Sequence, residues 1–251
     1  MKLILIRGAT LRVEMSGHTL LVDPQLDPAG AREPVPDTPN PRANPLVELP
    51  EPAQAVVAAV DAVLLTHTHQ DHYDETARRL LARDIPIFCQ PQDAERLHAD
   101  GFSDVRPVHA EASLGPLLIH RTDGRHGTGE LGDRLGPVSG FVVEGPGEPT
   151  LYIAGDTILC DEVREALERH RPDAIVVNAG AARFNTGDPI VMDAEDVVRL
   201  ARESDVPTIV AVHLDTVSHG TETRADLRAR LEAEGLKVRV AVPEDGSEVP
   251  V

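Results

Sequence analysis

Apolar residues fall along this chain in short blocks whose spacing changes with position. Lys2 to Arg7, KLILIR, is an apolar run, Thr10 to Met15 alternates Leu11, Val13 and Met15 with polar positions, and His18 to Asp23 is apolar again. Blocks of this length and period read as strands, with the turn residues Ser16 and Gly17 joining the last two as a hairpin. From Pro24 to Pro52 the pattern gives way to recurrent proline, so neither helix nor inner strand is expected there. Loops of this length inside a compact domain are uncommon and often cover a site, so the segment is expected to be either a cover or a surface excursion.

Beyond the loop an order of apolar strand, loop and amphipathic helix repeats. Strand-like segments lie at 61–66, 85–90, 114–121, 137–144, 150–154, 173–178, 208–213 and 236–242. Helices are expected over 75–84, where Ala77, Leu80 and Leu81 share a face behind the N-cap Asp74, and over 91–100, where Pro91 suits a helix start. Further helices are expected over 161–170, 193–204 and 221–234. A strand-rich stretch followed by strand–helix units, twice over, predicts two mixed sheets packed face to face with helices outside. The fold class is α/β (α+β), an αββα sandwich in one domain over residues 1–251.

Composition narrows the function. Aromatic residues make up 2% of the 251 and tryptophan is absent, so Val, Leu, Ile and Ala must fill the core. The net charge of −18 disfavours nucleic acid and anionic membrane, leaving a small-molecule substrate as the expected partner, with a homo-oligomer left open. No apolar window reaches the ~18 residues of a membrane span, and Leu3 to Ile6 is too short for a signal-peptide core, so a cytoplasmic location is expected. Cys89 and Cys160 form no Cys-x-x-Cys pair and read as buried thiols.

One segment carries concentrated chemistry. VLLTHTHQDHYD, residues 63–74, places His67, His69, Asp71, His72 and Asp74 directly after an apolar run. Such a group is either a solvated loop or a set of ligands converging on a cation. His67 and His69, two apart at a strand end, point to one side, whereas Asp71 and His72 lie past the bend and can reach a second point. Three further candidates follow apolar strands: His126 after LLIHR, Asp156 after TLYIA and His213 after TIVAV. Loops at strand carboxyl ends are where functional side chains collect in α/β folds, which favours the ligand reading.

These residues resemble the metallo-β-lactamase-fold hydrolases, with THTHQDH as the signature and His126, Asp156 and His213 in the expected order. The segments DP at 23–24, HGTGE, GPVSGF, IAGDT, NAGAARF and GDPIVMDAEDV are most similar to the branch related to ascorbate-6-phosphate lactonases. The resemblance implies one metal held by His67, His69 and His126, a second by Asp71, His72 and His213, and Asp156 bridging them. It implies a metal-dependent hydrolase of a small-molecule ester, lactone, amide or phosphodiester bond, with Asp71 orienting a metal-activated hydroxide. Imidazole and carboxylate donors without thiolate suit two Zn²⁺ ions, and also Mn²⁺ or Fe²⁺. The competing class is a redox protein of the diiron type or a non-catalytic metal-binding protein of the same fold. Diiron members carry Glu where this signature has His69.

Around the ligands, Asp23 is expected to hydrogen-bond a ligand histidine. His219 is a candidate to contact substrate or protonate a leaving group, and Asn178 and Arg183 are candidates to bind a substrate oxygen. His18, His98, His109, His120 and His170 read as structural or solvated.

Overall fold

A computed structural model describes residues 1–249 and 251. Its first sheet opens with the antiparallel strands β1 (Lys2–Arg7), β2 (Thr10–Met15) and β3 (His18–Val22). It continues in parallel through β4 (Ala62–Leu65), β5 (Ile87–Cys89) and β6 (Val105–Pro107). The second sheet starts with the antiparallel β7 (Glu111–Leu114), β8 (Leu117–Asp123), β9 (Ser139–Glu144) and β10 (Leu151–Ile153). From β10 it runs parallel through β11 (Ala174–Asn178), β12 (Thr208–Val212) and β13 (Val240–Ala241). A final strand, β14 (Glu248–Val249), returns to pair with β1, so among the described residues each sheet has seven strands.

The period-two alternation explains why the sheets stack. In β4, Ala62 and Leu64 join the core between the sheets while Val63 and Leu65 face the helices; in β11, Ala174 and Val176 point inward while Ile175 and Val177 point outward. A strand apolar on both faces can satisfy both only between two layers. The helices α1 (Ala53–Val56), α2 (Glu75–Leu80) and α3 (Ala94–Ala99) belong to the first half of the chain, and the outer core there takes in Val56, Ala77 and Leu97. On the second half α4 (Gly129–Leu135) precedes α5 (Asp161–His170), α6 (Ala194–Glu203) and α7 (Arg224–Ala233), with Val163, Val197 and Leu227 in the outer core.

Four expectations are corrected. The helix after Asp74 ends at Leu80, because Leu81 is already extended at ψ 138°. The segment 114–121 is not one strand: Gly115 turns the chain at φ 56° between β7 and β8. The last strand keeps only Val240 and Ala241, since Val238 is 95% exposed. The segment 91–100 begins as a 3-10 turn before α3.

The proline-rich segment is a cover. The buried Arg7 donates to the carbonyls of Gln25, Asp27 and Val47, pinning the segment at both ends. Asn44 exchanges hydrogen bonds with Ser218 at 2.7 and 3.1 Å, which fastens it to the loop after β12. No helix among the described residues is long and apolar enough to cross a membrane.

Candidate metal centre

The carboxyl ends of β3, β4, β10, β11 and β12 lie together, and each contributes. The chain leaves β3 at Asp23 and β12 at His213 with φ of 43° and 63°, left-handed conformations rare for residues other than glycine and concentrated at functional sites. At the end of β10, Gly155 adopts φ 73°, and a Cβ there would stand 2.8 Å from the Ser139 carbonyl oxygen, so only glycine lets the chain present Asp156.

Seven side chains converge in two groups. His67, His69 and His126 form one; Asp71, His72, Asp156 and His213 form the other, each with its ligand atoms within 4.8 Å of one another. Asp156 links the groups: its Oδ2 lies 3.2 Å from His72 Nε2, 3.7 Å from His126 Nε2 and 4.0 Å from His67 Nε2. Its Oδ1 lies 4.0 Å from His213 Nε2. Asp71 Oδ2 stands 3.5 Å from His213 Nε2 and 3.8 Å from His219 Nε2.

The hydrogen bonds behind these side chains decide which ring nitrogens face the centre. His72 donates from Nδ1 to Asp23 Oδ2 at 2.7 Å, and His126 donates from Nδ1 to the Ile190 carbonyl at 2.8 Å. Thr66 donates its hydroxyl hydrogen to Asp23 Oδ2 at 2.7 Å and so accepts from His67 Nδ1 at 3.1 Å. Asp23 thereby orients two rings, one directly and one through Thr66. In all three histidines Nε2 faces inward toward carboxylate oxygen or another imidazole, as for His72 Nε2 and His213 Nε2 at 3.3 Å. Ring nitrogens and carboxylate oxygens gathered this closely call for positive charge among them, a proton or a metal ion, and histidines held from behind by carboxylate or carbonyl are the usual support of a metal site. The donor set therefore fits divalent metal ions.

The titration behaviour agrees. Burial disfavours ionisation of Asp156, yet the charges on His72 and His213, with the hydrogen bond from His72, outweigh it and hold the carboxyl well below the usual range. Burial likewise works against a charged His72, but Asp156 and Asp23 on either side raise it well above an ordinary histidine. This corner of the centre recruits positive charge. His67 and His126 are instead pushed down, by burial first and then, for His67, by the neighbouring His72, which leaves their Nε2 lone pairs free at neutral pH.

A cavity of about 240 Å³ opens onto these groups, with His69, Asp71, His126 and Asp156 at its base. Arg32, Glu33, Val35 and Asn44 of the proline-rich segment line it, opposite Leu135, Phe184, Ile190 and Val217. His219 also lines it, buried to 8% exposure, and its Nδ1 has no hydrogen-bond partner among the described residues. Neither Asn178 nor Arg183, the expected substrate contacts, is among the residues that line this cavity. Asn178 is buried and donates its amide to Asp156 Oδ1 at 2.6 Å, while Arg183 donates to the Gly187 carbonyl at 3.1 Å within its own loop. Arg32 and Phe184, which do face the cavity, sit in irregular segments without a periodic or motif signal.

The Beta-lactamase superfamily domain model matches residues 18–214. UPF0173 protein YddR of Bacillus subtilis is 35% identical over 98% of both chains. Two solved structures superpose on the whole chain and 99% of their own: a possible metal-dependent hydrolase from Veillonella parvula, 34% identical with TM-score 0.97, and an isothiocyanate hydrolase from Delia radicum gut bacteria, 36% identical with TM-score 0.95. With a domain match over most of its length and a near-full-length relative at this identity, the chain belongs to the beta-lactamase superfamily and, within it, to the UPF0173 family.

Proposed function

We propose that this protein is a metal-dependent hydrolase with a dinuclear centre, acting on a small, largely uncharged molecule through attack of water on an electrophilic carbon. The observation that carries the reading is the division of seven ligands into two groups with Asp156 between them. His67, His69 and His126 would hold one ion and Asp71, His72 and His213 the other. Zn²⁺ suits this imidazole and carboxylate set best, with Mn²⁺ and Fe²⁺ as alternatives. When bound, such ions acidify water to a pKa near ~7 and withdraw electron density from the group under attack.

The chain's own residues supply the rest. Burial opposes a charged Asp71, but the hydrogen bond from His213 and the charge of His72 hold its carboxyl well below the usual carboxylate range. Facing the cavity as an acceptor, it orients an attacking water and can take its proton. His219 is lowered by burial, so at neutral pH it is a neutral imidazole. Its Nε2, which faces the centre 3.8 Å from Asp71 Oδ2, is then the ring atom placed to hydrogen-bond substrate, a role that fits better than that of an imidazolium acid.

The cavity argues for substrate class. Val35, Leu135, Phe184, Ile190 and Val217 give it apolar walls, and polar groups collect at its base. Arg32 lies beside Glu33, with its Nε 3.2 Å from Asp27, so the cavity offers no cationic cradle for a phosphodiester. Esters, lactones, amides and isothiocyanates share a carbon made electrophilic by flanking heteroatoms. The 36% identical isothiocyanate hydrolase favours the last of these.

The test is a hydrolysis screen of chelator-stripped protein with Zn²⁺, Mn²⁺ and Fe²⁺ supplied separately against uncharged isothiocyanates, lactones, esters, amides and phosphodiesters. Metal-restored turnover of a carbon electrophile that falls ~10²–10⁴-fold in Asp71→Ala is expected. Turnover that survives Asp71→Ala, or a preference for phosphodiesters, removes the reading. A visible spectrum that responds to dithionite and air would favour the redox class instead.

A further inference from the structure

We propose that His120, Glu144 and His170 form a separate metal site on the helix-covered face of the second sheet, taking a divalent ion of the zinc type. The three come from three elements: the middle of β8, the last residue of β9 and the last residue of α5. Strand alternation turns Leu117 and Ile119 into the core between the sheets and His120 to the other side. Packing of α5 over this side of β8 brings His170 above it, the two rings 4.9 Å apart.

A single Glu144 oxygen faces both imidazoles. Its Oε1 lies 3.5 Å from His120 Nε2 and 3.9 Å from His170 Nδ1. Tetrahedral zinc with Zn–N and Zn–O near 2.0–2.1 Å sets its ligand atoms about 3.3 Å apart, so small side-chain adjustments close this set around an ion. Glu111, directly opposite His120 in the β7–β8 pair, places Oε2 3.5 Å from His120 Nδ1. A carboxylate on the far nitrogen fixes the tautomer whose Nε2 lone pair points at Glu144, the same support that Asp23 gives His72.

The surroundings suit an ion with a structural role. The His120 and His170 side chains are 17% and 9% exposed, leaving one side open for a water as fourth ligand. Burial first, then the neighbouring His120 and Arg169, push His170 below its ordinary value, so its ring is neutral and available at neutral pH. None of these residues lines the catalytic cavity. An ion here would clamp the C-terminal end of α5 to β8 and β9.

The experiment uses the full chain, stripped with chelator and titrated with Zn²⁺ alone, and compares wild type with His170→Ala and Glu144→Gln. Each variant is expected to take up one zinc ion fewer than wild type and to keep wild-type turnover. In the His67→Ala, His69→Ala double variant, Co²⁺ uptake should fall by one further ion, with the matching loss of tetrahedral absorption, when His170→Ala is added. The readout is a difference between variants, so it holds whatever the nuclearity of the catalytic centre. Equal zinc uptake by wild type and both variants overturns the proposal; should His170→Ala lose its circular dichroism spectrum, Glu144→Gln decides alone.

Discussion

At the scale of single residues, Asp156 depends on Asn178 as much as on its own position. The amide 2.6 Å from Oδ1 leaves Oδ2 directed at His72, His126 and His67. Replacing Asn178 with Ala should therefore weaken metal binding ~10–100-fold, measured by competition with a chromogenic chelator, while KM at saturating metal stays unchanged. A raised KM with unaltered metal affinity would return Asn178 to the substrate. Asp23→Ala should cost metal affinity by a similar factor, since it releases both His72 and the Thr66–His67 pair. The seven converging residues were legible because His and Asp at strand ends have one shared chemistry. The role of Asn178 was not, because it depends on the parallel pairing of β10 with β11, which sets Ile153 beside Val176 and so brings the two strand ends together. The partner of Arg183 was not legible for a related reason: a loop arginine beside small residues says nothing of which carbonyl its own loop will offer it.

At the scale of elements, the N-cap of α2 carries a pH dependence. Asp74 accepts from Ala77 N at 2.9 Å and from Asp27 N at 2.6 Å, yet burial dominates and raises its carboxyl from 3.8 to about 6. A carboxyl raised on folding favours the folded state below its unfolded value, and that contribution is lost as pH rises through the folded one. Stability should therefore fall by about 3 kcal/mol between pH 3 and 7 from this group, and Asp74→Asn, which cannot ionise, should flatten that slope in urea titrations. An unchanged slope would place the pH dependence elsewhere. The cap was legible from sequence; the helix α4 was not. Its Gly129 and Gly132 each disfavour helix by roughly 1 kcal/mol, but Leu131 and Leu135 pack on Ala182, Ile190 and Val191, and that tertiary contact decides. Gly132 also has a steric reason, since a Cβ would stand 3.0 Å from the Gly127 carbonyl oxygen.

At the scale of the whole molecule, the sandwich was readable because apolar runs such as β4 and β11 have to satisfy two faces, and the two cores they feed share one middle layer. What the cavity accepts was less readable, because its walls come from the segment before α1 and the loop after β11, held by Arg7, Asn44 and Ser218 rather than by any periodic pattern. Metal should be part of the folded molecule's stability. Chelation should lower Tm, and re-addition at 100 times the dissociation constant should restore ~2.7 kcal/mol per ion, read by calorimetry. The most direct test of the proposed dinuclear centre is anomalous diffraction from metal-loaded crystals, collected at the zinc, manganese and iron edges. The account predicts two peaks ~3.5–4 Å apart, one beside His67, His69 and His126, the other beside Asp71, His72 and His213, with the Asp156 carboxylate between them. A single peak in that centre, or two that Asp156 does not join, would contradict it.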